Sequence, residues 1–206
     1  MYHKLDYIWN VKRNIDVRIG DEKRLTPLEG MDVIMATLHK TNANNEDSAF
    51  RFILWGALIS LASFLYFFLQ PHTTWYFIPF PFLVFAGVLV TVANERKVSL
   101  AGARSYLQFF LSRMWLVLGI SFGSVVFISV SQGYVPFTYT LLLAAIGTLV
   151  SGVIIEFRPL IISGVLLLSA AIGSIYIPDS YKSLLHGVAI GGGYLIPGYL
   201  LKNRKL

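Results

Sequence analysis

From residue 52 onward the chain is too apolar to fold as a water-soluble domain. Residues 52–206 contain nine Lys and Arg and three Asp and Glu, whereas residues 1–51 contain eight of each class. Charged residues make up 14% of the chain, against about 25% in soluble domains. This distribution excludes a simple globular enzyme, a disordered chain and a nucleic-acid-binding domain. The net charge of +6 therefore needs an explanation other than nucleic acid.

Six apolar stretches are long enough to cross the roughly 30 Å of hydrocarbon in a bilayer. Turn residues or charges separate them. Arg158-Pro159 divides the fourth stretch from the fifth, because proline starts a helix well and disfavours helix at the preceding residue. We therefore predict an all-α polytopic membrane protein, a bundle of six transmembrane helices. The spans are expected near residues 50–69, 76–94, 114–132, 137–155, 159–177 and 184–201.

The distribution of cations predicts the orientation of these spans. Six spans place 16 of the 17 Lys and Arg on one side of the membrane and leave only Lys182 on the other. Cytoplasmic loops carry the excess of Lys and Arg. We therefore expect a multi-pass protein of the bacterial inner (cytoplasmic) membrane with both termini cytoplasmic. The expected parts are a polar segment 1–25, an amphipathic helix and linker 26–49, a transmembrane domain 50–202 and a basic tail 203–206.

The segment before the first span predicts a short cytoplasmic helix over residues 26–40. Thr26 suits the N-cap, Pro27 the first helical position, and Glu29 completes a capping-box pattern. Asn42–Asn45 is expected to interrupt the helix. Its apolar stripe docks on the protein itself, on lipid, or on a soluble cytoplasmic protein partner. The candidate docking residues are Leu28, Met31, Met35 and Leu38.

The sequence of residues 1–24 allows three explanations of this segment. They contain no apolar run of the kind found in a signal peptide. They are disordered, pair with a partner, or precede a true start at Met31.

Few residues inside the predicted spans offer chemistry. Their central parts contain no Asp, Glu, Lys or Arg, which counts against a proton-coupled carrier and an intramembrane protease. His186 is expected near the outer edge of the last span. A metal site made of His72, Asp179 and His186 has no supporting spacing motif, and the absence of cysteine removes thiolate chemistry. We therefore predict no catalytic residue, no metal and no cofactor.

The last span is interrupted by glycines and a proline. Pro197 lacks an amide hydrogen and crowds the carbonyl four residues back, at Gly193. The segment predicts either a packed, kinked helix or a broken helix that binds a ligand. A path beside it could use the polar residues Ser121, Ser124, Thr148, Ser151 and Ser163. The candidate ligand or kink region is Gly191, Gly192, Gly193 and Pro197.

Two GxxxG pairs, Gly187/Gly191 and Gly119/Gly123, also permit a homo-oligomer. A weak internal echo places Gly87-Val-Leu-Val-Thr before Glu95 and Gly147-Thr-Leu-Val-Ser before Glu156. It suggests helical hairpins of similar plan.

A charge cluster at the cytoplasmic edge has two interpretations, solvated helix ends or a network around a site. Cations of the neighbouring loop could also contact anionic lipid headgroups. The candidate cluster residues are Glu95, Arg96, Glu156 and Arg158.

Three stretches resemble an uncharacterised family of bacterial six-span integral membrane proteins. They are Phe52-Ile-Leu-Trp-Gly-Ala-Leu-Ile, Phe157-Arg-Pro-Leu-Ile and Gly193-Tyr-Leu-Ile-Pro-Gly-Tyr-Leu-Leu. The resemblance covers residues 28–202 and implies six helices behind a short cytoplasmic helix, with no activity attached.

We expect an integral membrane protein that acts as a non-enzymatic scaffold or sensor through its cytoplasmic helix. The alternative is a small transporter or permease subunit that uses the sixth helix. A lipid-modifying enzyme would require Glu95, Glu156 and Arg158 to converge.

Overall fold

The computed structural model describes the backbone of residues 27–100 and 106–204, and the side chains of residues 46–96 and 108–204. This part of the chain contains seven α-helices and no β-strand. A 3₁₀ turn at Ser174–Tyr176 extends the fifth helix, and a π-helical turn at Gly191–Leu195 joins the sixth to the seventh. The helices are α1 (Pro27–Leu69), α2 (Pro79–Leu100), α3 (Tyr106–Ser131), α4 (Phe137–Ile154), α5 (Arg158–Gly173), α6 (Asp179–Ile190) and α7 (Ile196–Lys202).

Five helical stretches are long and apolar enough to cross a membrane. They match five of the six predicted spans, so the all-α class and the presence of several apolar helices of membrane length are confirmed. Helix α2 is not among them, because polar Asn94, Glu95 and Arg96 lie within its 22 residues. The five stretches are Glu46–Leu69, Gln108–Ser131, Phe137–Ile154, Arg158–Tyr176 and Asp179–Lys202.

The chain divides into two compact units, Met1–His39 and Lys40–Leu206. In the first unit the described part is the helical backbone that begins at Pro27. In the second unit, α1 continues through Asn42–Asn45, so the predicted interruption there is wrong. Asparagine costs only a few tenths of a kcal/mol per helical position, which neighbouring helical turns can offset.

The predicted division between the fourth and fifth spans is confirmed. Helix α4 ends at Ile154 and α5 begins at Arg158. Glu156 has a left-handed φ of 53°, and the Phe157 amide donates to the Gly152 carbonyl at 2.9 Å. This is a Schellman closure with glutamate where glycine is usual. Phe157, two residues before Pro159, is extended.

Side-chain contacts define two ends of the second unit. At the Tyr66 end, the Tyr66 ring contacts Tyr76 and Phe137 at 5.0 Å between centroids. The start of α2 and the start of α4 therefore meet the end of α1. At the Arg51 end, Arg51 contacts Glu95 of α2 and Ser112 of α3. Helices α1 to α4 thus alternate in direction between the two ends, as short connections require.

The internal echo corresponds to a repeated packing contact. On α1, Trp55 and Leu58 cover Gly87 of α2, and a Cβ there would lie 2.9 Å from Leu58 Cδ1. On α3, a tryptophan and a leucine in the same spacing cover a glycine of α4. Each member of this second set lies 60 positions after its counterpart: Trp115, Leu118 and Gly147.

Candidate functional site: a buried polar file

His186 lies inside the bundle, where it is 3% exposed. Its Nδ1 is 2.8 Å from Ser63 Oγ of α1, and its Nε2 is 3.1 Å from Thr140 Oγ1 of α4. The Phe137 ring packs on it at 5.3 Å. His186 is therefore a buried side chain of the bundle with a hydroxyl at each ring nitrogen, an environment that the sequence did not indicate. Helix α6 starts at Asp179, so His186 lies about 10 Å along the helix.

Helix α4 carries a line of buried hydroxyls that begins at His186. Thr140, Thr148 and Ser151 share one helical face, because their spacings of eight and three residues return to the same side. The Tyr194 side chain interacts with Thr148, and the Trp115 indole donates to Ser151 at 3.0 Å. We call this arrangement the polar file. It comprises Ser63, His186, Thr140, Thr148, Tyr194 and Ser151.

The structure sorts the residues proposed to line a path. Thr148, Ser151 and Ser163 are buried. Ser121 and Ser124 are instead partly exposed or exposed on α3. Each donates to the carbonyl four residues earlier in its own helix at 3.0 Å. The hydroxyls of these two serines therefore bond within their own helix, on the outside of the bundle.

The glycine-rich segment is a π-helical turn and not an unwound stretch. It precedes Pro197, which cannot donate to the Gly193 carbonyl. A Cβ on Gly191 would lie 2.9 Å from Ser60 Oγ, and one on Gly193 would lie 2.9–3.0 Å from three Leu167 atoms. A Cβ on Gly192 meets nothing within 4 Å. Close packing thus explains two of the three glycines.

The two GxxxG pairs behave differently. Gly187, like Gly191, faces α1, where Ser63 Cβ would lie 3.1 Å from an added Cβ. Ser60 Oγ also donates to the Gly187 carbonyl at 2.7 Å. An added Cβ on Gly119 or Gly123 would meet nothing within 4 Å, so this second pair makes no close helix contact among the described residues.

A second polar group, the Asp47 cluster, lies at the Arg51 end. The Asp47 carboxylate is buried and accepts from Arg51 at 2.5 Å, Asn94 at 2.6 Å and Gln108 at 2.5 Å. Arg51 also approaches Glu95 at 3.2 Å and donates to Ser112 at 2.7 Å. Sequence reasoning missed this cluster, although the i, i+4 spacing of Asp47 and Arg51 indicated a pair.

The predicted charge cluster is only partly assembled. Glu95 belongs to the Asp47 cluster, whereas Glu156 and Arg158 are exposed and take part in none of the described ion pairs. Arg96 is also exposed. The structure therefore does not bring together the residues that a lipid-modifying site required.

Other predicted sites have different outcomes. The side chains of Leu28, Met31, Met35 and Leu38 lie outside the described residues, so the docking stripe stays a prediction. Among side chains that are described, no three metal-ligating groups come together.

No family model, curated protein or solved structure matches the chain. The site has to be interpreted from its own geometry.

Proposed function

We propose that this protein is a six-span integral membrane protein that acts as a small transporter or permease subunit. The observation that carries the proposal is His186, buried among three helices at one end of the polar file. Ionisable residues are costly inside a membrane and commonly mark ion or substrate pathways. The sequence ranked transport second because the central parts of the predicted spans contain no Asp, Glu, Lys or Arg.

The rest of the polar file supports the same function. Serine and threonine can join helices without any transport role. Ser60 does so here, since it donates to the Gly187 carbonyl. Ser151 instead accepts from the Trp115 indole of α3, and Thr148 interacts with Tyr194 of the π-helical turn. A small change in helix packing would therefore expose several polar groups to the same opening.

The proposal includes the orientation given by the cations, with the Arg51 end cytoplasmic. It also counts α2 as a membrane span, which brings the five stretches to six. The chain has no cysteine, so single cysteines report sidedness directly. His72→Cys and Gly133→Cys, both exposed at loops of the Tyr66 end, should react with an impermeant thiol reagent in intact cells. Arg158→Cys should react only after permeabilisation. Protection of both loop cysteines in intact cells contradicts the orientation.

Cysteine accessibility also tests the path itself. Thr148→Cys and Ser151→Cys should react with a small charged methanethiosulfonate in membranes, because a path that opens admits water to the polar file. Ser124→Cys is the matched control. It faces away from the bundle, where a thiol in hydrocarbon stays unreactive. If Thr148→Cys and Ser151→Cys react no faster than Ser124→Cys, the bundle stays closed and the transport proposal fails.

A scaffold or sensor role is the second candidate. It is supported by the helical backbone from Pro27 onward, on which the predicted apolar stripe would form one face. Deletion of residues 1–44 should abolish crosslinking to a soluble partner and leave Thr148→Cys labelling unchanged. Full biological function of the deleted protein counts against this role.

A further inference from the structure

Both ring nitrogens of His186 face a hydroxyl that already has a second partner. Ser63 Oγ lies 2.7 Å from the Ile59 carbonyl of its own helix. Thr140 Oγ1 lies 3.0 Å from the Phe137 carbonyl and 3.1 Å from that of Pro136. Each hydroxyl can therefore donate to a backbone carbonyl and accept from the ring, or donate to the ring.

A neutral His186 ring can form two hydrogen-bond arrangements with the same number of bonds. Neutral imidazole has one N–H and one acceptor nitrogen. In the first arrangement Nδ1–H donates to Ser63 and Thr140 donates to Nε2. In the second, Ser63 donates to Nδ1 and Nε2–H donates to Thr140. Both satisfy the ring completely, so neither tautomer is fixed by an obligate donor or acceptor.

The same atoms also accommodate a protonated ring. Both N–H groups then donate to the hydroxyls, and both hydroxyls donate to the backbone carbonyls. No heavy atom has to move. A histidine locked by a carboxylate or a carbonyl lacks this freedom, because such a partner only accepts.

The surroundings make the charged state short-lived. Burial disfavours a charged imidazole, and Lys182 lies one turn earlier on α6, paired with Asp179 at 2.7 Å. On α1 and its following loop, the Tyr66 phenol ring contacts Phe137 and the Tyr76 ring contacts Tyr66. No described carboxylate contacts the ring. The ring therefore rests neutral between its two arrangements.

We propose that His186 is a proton-transfer site, with Ser63 and Thr140 as its two exchange partners. In the first arrangement, the Thr140 hydroxyl passes its proton to Nε2 as it takes a proton from hydronium, and the ring becomes imidazolium. The Ser63 hydroxyl then takes the Nδ1 proton as it releases its own proton to water. The ring returns to neutrality as the opposite tautomer. This inference rests on the proposed transport function for its use, since it makes H⁺ the coupling or transported ion.

The test is solid-state NMR of ¹⁵N-histidine protein in lipid bilayers. The chain has four histidines, and replacing His3, His39 and His72 by Asn leaves only His186 signals. The unsubstituted site should show both neutral tautomers. Ser63→Ala should shift the ratio about tenfold towards Nε2–H, because Thr140 can then accept from the ring and keep its carbonyl bond. Thr140→Val should shift it equally towards Nδ1–H.

Ser60→Ala is the matched control. Ser60 lies on the same face of α1 and donates to Gly187, but it touches neither ring nitrogen. It should leave the tautomer ratio unchanged. A single tautomer that neither Ser63→Ala nor Thr140→Val alters overturns the proposal, as does a ring that stays doubly protonated at pH 7.

These results are separable from failure of the transport proposal. If Thr148→Cys reacts but the tautomer of His186 is fixed, the protein has a path that does not use His186 for protons. If Thr148→Cys does not react but the tautomers of His186 exchange, His186 is a proton-transfer site in a bundle that does not transport.

Discussion

Helices α1 and α3 open two similar hairpins, yet they pack very differently. In both, a tryptophan and a leucine three residues later cover a glycine of the following helix. The rest of α1 then packs against α6, the π-helical turn and α7. The rest of α3 faces outward: in the apolar 18-residue window of each helix, 6% of the α3 residues are buried against 28% of those of α1.

Both helices also carry glycine and serine, so these residue types do not decide packing. Gly56 of α1 approaches Tyr194 so closely that an added Cβ would lie 2.7 Å from Tyr194 Cβ. An added Cβ on Gly119 or Gly123 of α3 would meet none of the described atoms within 4 Å. In lipid no hydrophobic force drives helices together, so the close approach depends on matched shapes and hydrogen bonds. Along α1 such contacts recur from Gly56 to Ser63, whereas those of α3 lie near its start, at Ser112, Trp115 and Leu118.

The largest effect should come from the Asp47 cluster, which ties α1 to α2 and α3. Asp47→Leu leaves the Arg51, Asn94 and Gln108 donors without their shared acceptor. We expect a loss of about 3 kcal/mol in the free energy of unfolding, measured by SDS titration in mixed micelles. Glu46→Leu, at an exposed neighbouring position, is the control. Equal losses in the two variants would show that the cluster adds no stability.

A smaller effect should separate the packed glycine of α1 from the open one of α3. Gly56→Ala should cost about 2 kcal/mol through overpacking against a backbone-proximal Cβ. Gly119→Ala should change stability by less than about 0.5 kcal/mol. The same titration measures both. If Gly119→Ala is the more damaging variant, α3 makes a contact in the membrane that the isolated chain does not contain.

The repeated contact predicts similar costs in the two hairpins. Gly87→Ala and Gly147→Ala should each destabilise by about 1–2 kcal/mol, because the leucine Cδ1 atoms, 2.9 and 2.7 Å away, can partly yield. Unfolding midpoints of the two variants would measure this. A cost confined to one hairpin would reduce the echo to coincidence.

The smallest expected effect distinguishes the two tryptophans. Trp115 donates to Ser151, whereas no described hydrogen bond involves the Trp55 indole. Trp115→Phe should therefore cost about 1 kcal/mol more than Trp55→Phe. The emission of the remaining tryptophans checks that both variants fold. Equal losses would show that the Trp115–Ser151 hydrogen bond adds no stability.

The sequence by itself determined the helical class, most spans and the break before Arg158. These follow from apolar length and from the backbone limits of proline, which act within a few residues. Glutamate at the left-handed position 156 could not be foreseen, because glycine is the usual residue there.

Only the tertiary structure decided what lies inside the bundle. His186, Thr148 and Asp47 are buried, while Ser124 and Gly119 are exposed, although all five lie on helical stretches apolar enough to cross a membrane. An apolar helix in a membrane carries little periodic signal for its inward face, because lipid and protein interior are equally apolar. Which polar groups meet therefore depends on the rotation and register of each helix, and these are set by contacts between segments far apart in the chain.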